Sequence, residues 1–124
     1  MDFMKQYKDQ TYALMRIISG FLFLWHGSQK LLGFPPDHMA ESALMYAAGS
    51  IELIGGVLIM IGLFTAPVAF LASGLMAAAY WMAHGGNDLL PILNRGELAV
   101  LYCFVFLYIS SKGSGTWSVD SMRS

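Results

Sequence analysis

The sequence contains few charged residues. Asp, Glu, Lys and Arg make up 12% of its 124 residues, whereas soluble domains carry about 25%. Together with 56% hydrophobic residues and a mean hydropathy of +0.56, this scarcity excludes an ordinary soluble domain and predicts an integral membrane protein in contact with a lipid bilayer. The formal net charge is −1 and no basic stripe occurs, so nucleic acid is excluded as a partner.

The sequence also has only one cysteine, Cys103. An internal disulfide and a dithiol relay of the C-x-x-C kind are therefore excluded. Cys103 lies inside an apolar run, where a thiol is usually inert packing. Any thiol chemistry would need a partner protein.

Long apolar runs are what the sequence has in quantity. A helix needs about 20 mainly apolar residues to cross the hydrocarbon core, and four stretches approach this length: residues 11–32, 43–63, 66–84 and 95–111. We therefore predict an all-α fold, an integral membrane four-helix bundle that uses the whole chain, 1–124, as one domain. Thr65 is predicted to be the N-cap of the third helix.

Basic residues near the ends of the runs predict the orientation. Five lie on the side of the termini and two on the other side, namely Lys5, Lys8, Arg16, Lys112 and Arg123 against Lys30 and Arg95. By the positive-inside rule, both termini are expected in the cytoplasm. The predicted location is the inner (plasma) membrane, with several crossings.

One acidic residue, Glu52, interrupts the second apolar run and is flanked by glycines in Gly49-Ser-Ile-Glu-Leu-Ile-Gly-Gly56. An ionisable residue inside a membrane is costly and indicates function by default. Counting about 1.5 Å per helical residue places six polar residues in the outer half of the bundle: His26, Lys30, Glu52, His84, Arg95 and Glu97. Because a buried charge needs a partner, we expect Glu52 to pair with Lys30 or Arg95, and the glycines to let a neighbouring helix approach.

Each of these residues also has a purely structural interpretation. Glu52 could form an ion pair without chemistry, and Lys30 and Arg95 could extend to the outer headgroups. The segment Asn94-Arg-Gly-Glu97 has the form of a capping box, with Asn94 as N-cap. With these alternatives open, the candidate catalytic residues are His26, Lys30 and Glu52. The candidate cofactor-binding residues are His26, Glu52, Arg95 and Glu97, and no metal site is predicted.

The chain resembles the DoxX-like membrane proteins from Arg16 to Asp120. The resemblance depends on short motifs in a fixed order, which are Arg16, His26-Gly-x-x-Lys30, Gly49-x-x-Glu52-x-x-Gly-Gly56, Gly62-Leu-Phe-Thr65, Asn94-x-Gly-Glu97, Gly113-x-Gly115 and Ser118-Val-Asp120. It implies a four-helix membrane bundle. The family takes its name from a subunit of a thiosulfate:quinone oxidoreductase, and relatives are linked to membrane oxidoreductase complexes.

The resemblance also implies which polar positions recur in the family. They correspond here to Arg16, His26, Lys30, Glu52, Arg95 and Glu97. No settled catalytic residue of the family can be transferred to this chain.

The favoured function is that of a small membrane subunit in a quinone-linked redox system, with quinone as the candidate cofactor. The alternative is a non-catalytic membrane anchor or assembly partner. Two less favoured interpretations are a haem protein that uses His26 and His84 as axial ligands and a small-molecule transporter. The expected partners are other membrane or membrane-associated subunits, or a second copy of the chain.

Overall fold

A computed structural model describes residues 2–36, 39–84 and 96–123. All regular secondary structure in these ranges is helical. The helices are α1 (Asp2–Lys5), α2 (Lys8–Leu32), α3 (Ala43–Ile61), α4 (Thr65–Ala79), α5 (Glu97–Lys112) and α6 (Val119–Arg123), and the π-helical segment Tyr80–His84 continues α4. The predicted all-α class is confirmed.

The four longer helices occupy the regions of the four predicted spans. Two described helices, Ala43–Ile61 and Thr65–Met82, are long and apolar enough to cross a membrane by length and composition. Helix α5 has 16 residues, slightly fewer than the roughly 17 that a span needs. Four crossings and cytoplasmic termini therefore stay predictions.

Helices α2 and α3 pack backbone to backbone through glycines. A Cβ atom added to Gly27 would overlap the carbonyl oxygen of Gly49, and one added to Gly20 would lie 2.7 Å from the carbonyl oxygen of Gly56. The two glycines on each helix are seven residues apart, so they lie on one face, about two turns apart. Small residues of this kind permit the close helix contacts typical of membrane proteins.

Helices α4 and α5 form the second closely packed pair. The hydroxyl of Ser73 on α4 donates a hydrogen bond of 2.7 Å to the carbonyl of Cys103 on α5. Between the two pairs lies an aromatic and aliphatic core, in which Phe23, Ile59 and Phe106 are fully buried. The protein is therefore built from two helical pairs that share one core.

Two helix starts differ from the sequence-based predictions. The N-cap of α4 is Phe64, not Thr65, and the capping carboxylate comes from Asp120, whose oxygens accept the N–H groups of Phe64 and Thr65 at 2.9 Å each. A cap supplied from a distant segment, as Asp120 is for α4, leaves no local sequence signal.

The N-cap of α5 is Gly96, so Glu97 is the first helical residue and the predicted capping box is wrong.

The glycine contact between α2 and α3 can be tested with two matched substitutions. Gly27→Ala should destabilise the protein by about 1–3 kcal/mol, because its methyl group overlaps the backbone of α3. Gly74→Ala should leave stability unchanged or raise it by about 0.5–1 kcal/mol, since nothing lies within 4 Å of the added Cβ. Denaturation in detergent micelles measures both, and equal effects of the two substitutions would refute this account.

Candidate functional site

The buried acid of α3 forms an ion pair with α2. The Nζ atom of Lys30 lies 2.6 Å from Oε1 of Glu52. Glu52 is only 3% exposed, while the side chain of Lys30 is 26% exposed. The predicted pairing of Glu52 with Lys30 is confirmed, and Arg95, the other proposed partner, lies outside the described residues.

The glycines explain why this pair can form. A Cβ atom on Gly49 would lie 3.0 Å from the Cβ atom of Lys30, so the stem of Lys30 runs across the glycine surface of α3. Glu52 follows Gly49 by three residues and lies on the same side of the helix. The close approach of the two backbones thus brings an ammonium group to a carboxylate that has almost no access to solvent.

A cavity of about 490 Å³ opens beside the ion pair. Its polar lining residues are His26 and Lys30 from α2, Glu52 from α3 and Tyr102 from α5, and the other walls are apolar or alanine side chains from α3, α4, the π-helical segment and α5. The volume falls within the range of small-molecule sites, about 300–1,000 Å³. A mainly apolar pocket with a few convergent polar groups is the usual form of such a site.

His26 and Tyr102 form the side of the cavity next to the ion pair. Their rings meet edge to face, with centroids 5.9 Å apart, and Tyr102 is 6% exposed. His26 lies four residues before Lys30 and therefore shares its face of α2. The sequence analysis missed Tyr102, although a phenol in an apolar span is a signal because its hydroxyl needs a hydrogen-bond partner.

The structure divides the predicted polar cluster. His26, Lys30 and Glu52 all line the cavity. Glu97 is exposed at the start of α5 and contributes to a separate shallow groove, so the predicted convergence of Glu97 on the cluster is not seen. The backbone of His84 ends the π-helical segment, and its side chain, like Arg95, lies outside the description.

Arg16 forms a second polar centre, where the segment after α5 packs against α2 and the end of α3. Its side chain is fully buried. The guanidinium donates hydrogen bonds to four backbone carbonyls, those of Ile59 (3.0 Å), Thr116 (3.1 Å), Trp117 (2.7 Å) and Ser114. The planar guanidinium has five donors, which suits several acceptors at once. Arg16 therefore ties the segment after α5 to the end of α3.

The same segment is fastened to the turn between α3 and α4. The N–H of Asp120 donates to the carbonyl of Gly62 at 2.8 Å. The backbone N–H of Thr65, bonded to the carboxylate, holds the pKa of Asp120 below its usual value, although burial opposes the shift. The stabilisation from this contact is therefore complete above the ordinary Asp pKa and is lost as the pH falls through the lowered value.

The fold and the cavity define a small helical protein with a mainly apolar pocket, polar at one side, between two helical pairs. The chain belongs to the DoxX family, whose sequence model matches residues 11–85. The predicted family resemblance is thus confirmed.

Two curated relatives extend the comparison over most of the chain. An uncharacterized protein of Haemophilus influenzae is 36% identical over 129 residues, covering 98% of this chain and 96% of the relative. A Bacillus subtilis protein named "Putative oxidoreductase CatD" is 39% identical over 114 residues, covering 86% of this chain and 82% of the relative. No solved structure matches the chain significantly.

The ion pair can be tested by a double-substitution cycle. Lys30→Met and Glu52→Met should each destabilise the protein by about 1–3 kcal/mol, because each leaves one charge without its partner. The loss of one partner from a fully buried pair costs about 3–5 kcal/mol, and we expect a smaller effect because Lys30 is partly exposed. The double variant should be more stable than the sum of the single effects predicts. Thermal denaturation in detergent measures all three, with exposed Glu41→Met as control. Strict additivity would show that the two groups do not interact.

The role of Arg16 can be tested by proteolysis. Arg16→Lys should lose at least one charge-assisted hydrogen bond, worth about 1.5–3 kcal/mol, and so release the segment after α5. Limited trypsin digestion should then cleave after Lys112 at least about tenfold faster, since about 1.4 kcal/mol corresponds to a factor of ten.

Arg123→Lys is the matched control for this experiment, because it changes an exposed arginine near the same segment and keeps the trypsin site. Equal cleavage rates in the two variants would contradict the proposed tie between Arg16 and this segment.

Proposed function

We propose that this protein is a membrane subunit of a redox complex and that its cavity binds the head group of a quinone. The observation that carries the proposal is the partly buried Lys30–Glu52 pair, with His26 beside it, in a mainly apolar cavity of about 490 Å³. The name of the Bacillus subtilis relative, which refers to an oxidoreductase, supports the redox assignment.

The lining groups suit the chemistry of a quinone. Its two carbonyl oxygens need hydrogen-bond donors, and its ring needs apolar walls. The ammonium of Lys30 has three donors, of which Glu52 accepts one. Lys30 would therefore donate to one carbonyl while Glu52 holds the ammonium in place.

Reduction of a quinone to a quinol consumes two electrons and two protons. An imidazolium can give up a proton near neutral pH, so His26 would deliver a proton to one quinone oxygen, and Lys30, the donor at the other oxygen, would deliver the second. The single cysteine cannot run a dithiol cycle within the chain. The electrons would therefore come from a redox group on a partner protein.

The alternative is a non-catalytic anchor or assembly partner. It is favoured by the fastening of the segment after α5, which holds Trp117 at φ 57° with 56% of its surface exposed. Aromatic residues are enriched at protein–protein interfaces. An anchor needs no ligand in the cavity, so a measurement of quinone binding distinguishes the two functions.

The quinone proposal predicts loss of binding in two variants. His26→Phe keeps the ring packing on Tyr102 but removes the donor, and the double variant Lys30→Met/Glu52→Met removes the ion pair without leaving a single charge. Each should weaken binding of 2,3-dimethoxy-5-methylbenzoquinone by at least about tenfold, the worth of one hydrogen bond to a charged group.

Binding is measured by calorimetry on the protein in lipid nanodiscs, with Glu41→Gln as the control that should bind like the unaltered protein. Unaltered affinity in both cavity variants would refute the proposal. Absence of binding by the unaltered protein, together with a stoichiometric partner chain found by mass spectrometry after gentle purification, would establish the anchor function instead.

A further inference from the structure

The cavity is polar and buried at one side and apolar and exposed at the other. On the buried side, Glu52 is 3% exposed and Tyr102 is 6% exposed. On the other side, Leu44, Met82 and Leu98 line the cavity and are also 59%, 67% and 48% exposed at the outer surface of the protein. We call these last three residues the apolar rim.

The apolar rim is built from three chain segments at the same end of the bundle. Leu44 is in the first turn of α3, Leu98 is in the first turn of α5, and Met82 is in the π-helical segment that ends α4. The rim therefore lies where the helical pair α2–α3 faces the pair α4–α5.

We propose that the apolar rim is a lateral opening to the bilayer and that the ligand of the cavity is a neutral amphiphile, with its polar head at Lys30 and Glu52 and an apolar tail that leaves over the rim into the lipid. This inference rests on the proposed function and specifies the ligand as a quinone with a long hydrocarbon tail.

Charge and polarity favour this occupant over a water-soluble one. Among the described residues, the acidic and basic side chains that line the cavity are Glu52 and Lys30, which lie 2.6 Å apart and neutralise each other, so this pair does not attract an ion. A soluble ligand would have to pass exposed leucine and methionine side chains, which in a membrane protein face hydrocarbon. Trp81, next to Met82, is 70% exposed, and exposed tryptophans mark the headgroup level, which places the opening close to one surface of the membrane.

The test compares two probes with the same head group. One is 2,3-dimethoxy-5-methylbenzoquinone without a tail, and the other carries a decyl tail. In nanodiscs the unaltered protein should bind the tailed probe at least about tenfold more tightly, the equivalent of about two methylene groups in apolar contact. Leu98→Gln and Met82→Gln should weaken binding of the tailed probe more than binding of the tailless one, and so remove that advantage.

Leu101→Gln is the matched control, because Leu101 is equally an exposed leucine of α5, 61% exposed, but does not line the cavity. It should bind both probes like the unaltered protein. Equal affinity of the unaltered protein for both probes, or loss of both probes in the two rim variants alike, would overturn the lateral opening while the quinone proposal stands. Failure of the unaltered protein to bind either probe would remove the proposed function and this inference with it.

Discussion

The close contact between the backbones of α2 and α3 is the constraint on which the site depends. Gly20 and Gly27 on one helix meet Gly56 and Gly49 on the other, at distances that leave no room for a Cβ atom. This contact places Lys30 across Gly49 and next to Glu52. A wider separation would leave the carboxylate in an apolar environment without its ammonium, which is unfavourable for a charge with so little solvent. The packing and the polar site therefore have one origin.

The two polar centres of the bundle use their charges differently. Arg16 is fully buried and directs its donors to the backbone carbonyls of Ile59 at the end of α3 and of Trp117 in the segment after α5. Lys30 has one carboxylate partner and also lines a cavity. The first arrangement is a structural tie that uses four hydrogen bonds, whereas the second presents an ammonium group to a cavity of about 490 Å³. This difference is why we place the chemistry at Lys30 and not at Arg16.

The arrangement also suits a subunit that works with others. The chain is nearly all bundle, and its one thiol, Cys103, is half-buried beside Ser73 in the packing of α4 against α5. In the proposed function, side chains of this bundle would provide binding and proton exchange, and a redox group on a partner protein would provide the electrons.

The sequence by itself determined the all-α class, the approximate positions of the long helices, the family, and the pairing of Glu52 with a basic residue. These follow from local properties, because apolar length predicts a span and the cost of an isolated charge predicts a partner. The sequence did not identify Tyr102 as part of the site, the capping of α4 by Asp120, or the separation of Glu97 from the cluster.

Only the tertiary structure decided those points, because each depends on how remote segments approach one another. Counting residues gives the depth of a side chain in the membrane but not its direction around the helix axis relative to its neighbours. Glu97 has a suitable depth and is exposed, while Tyr102 faces the cavity. The direction of a side chain around its helix axis is set by the packing of α4 against α5 and of α2 against α3. The packing of α2 against α3 depends on glycines whose partners lie about 20 to 40 residues away in the chain.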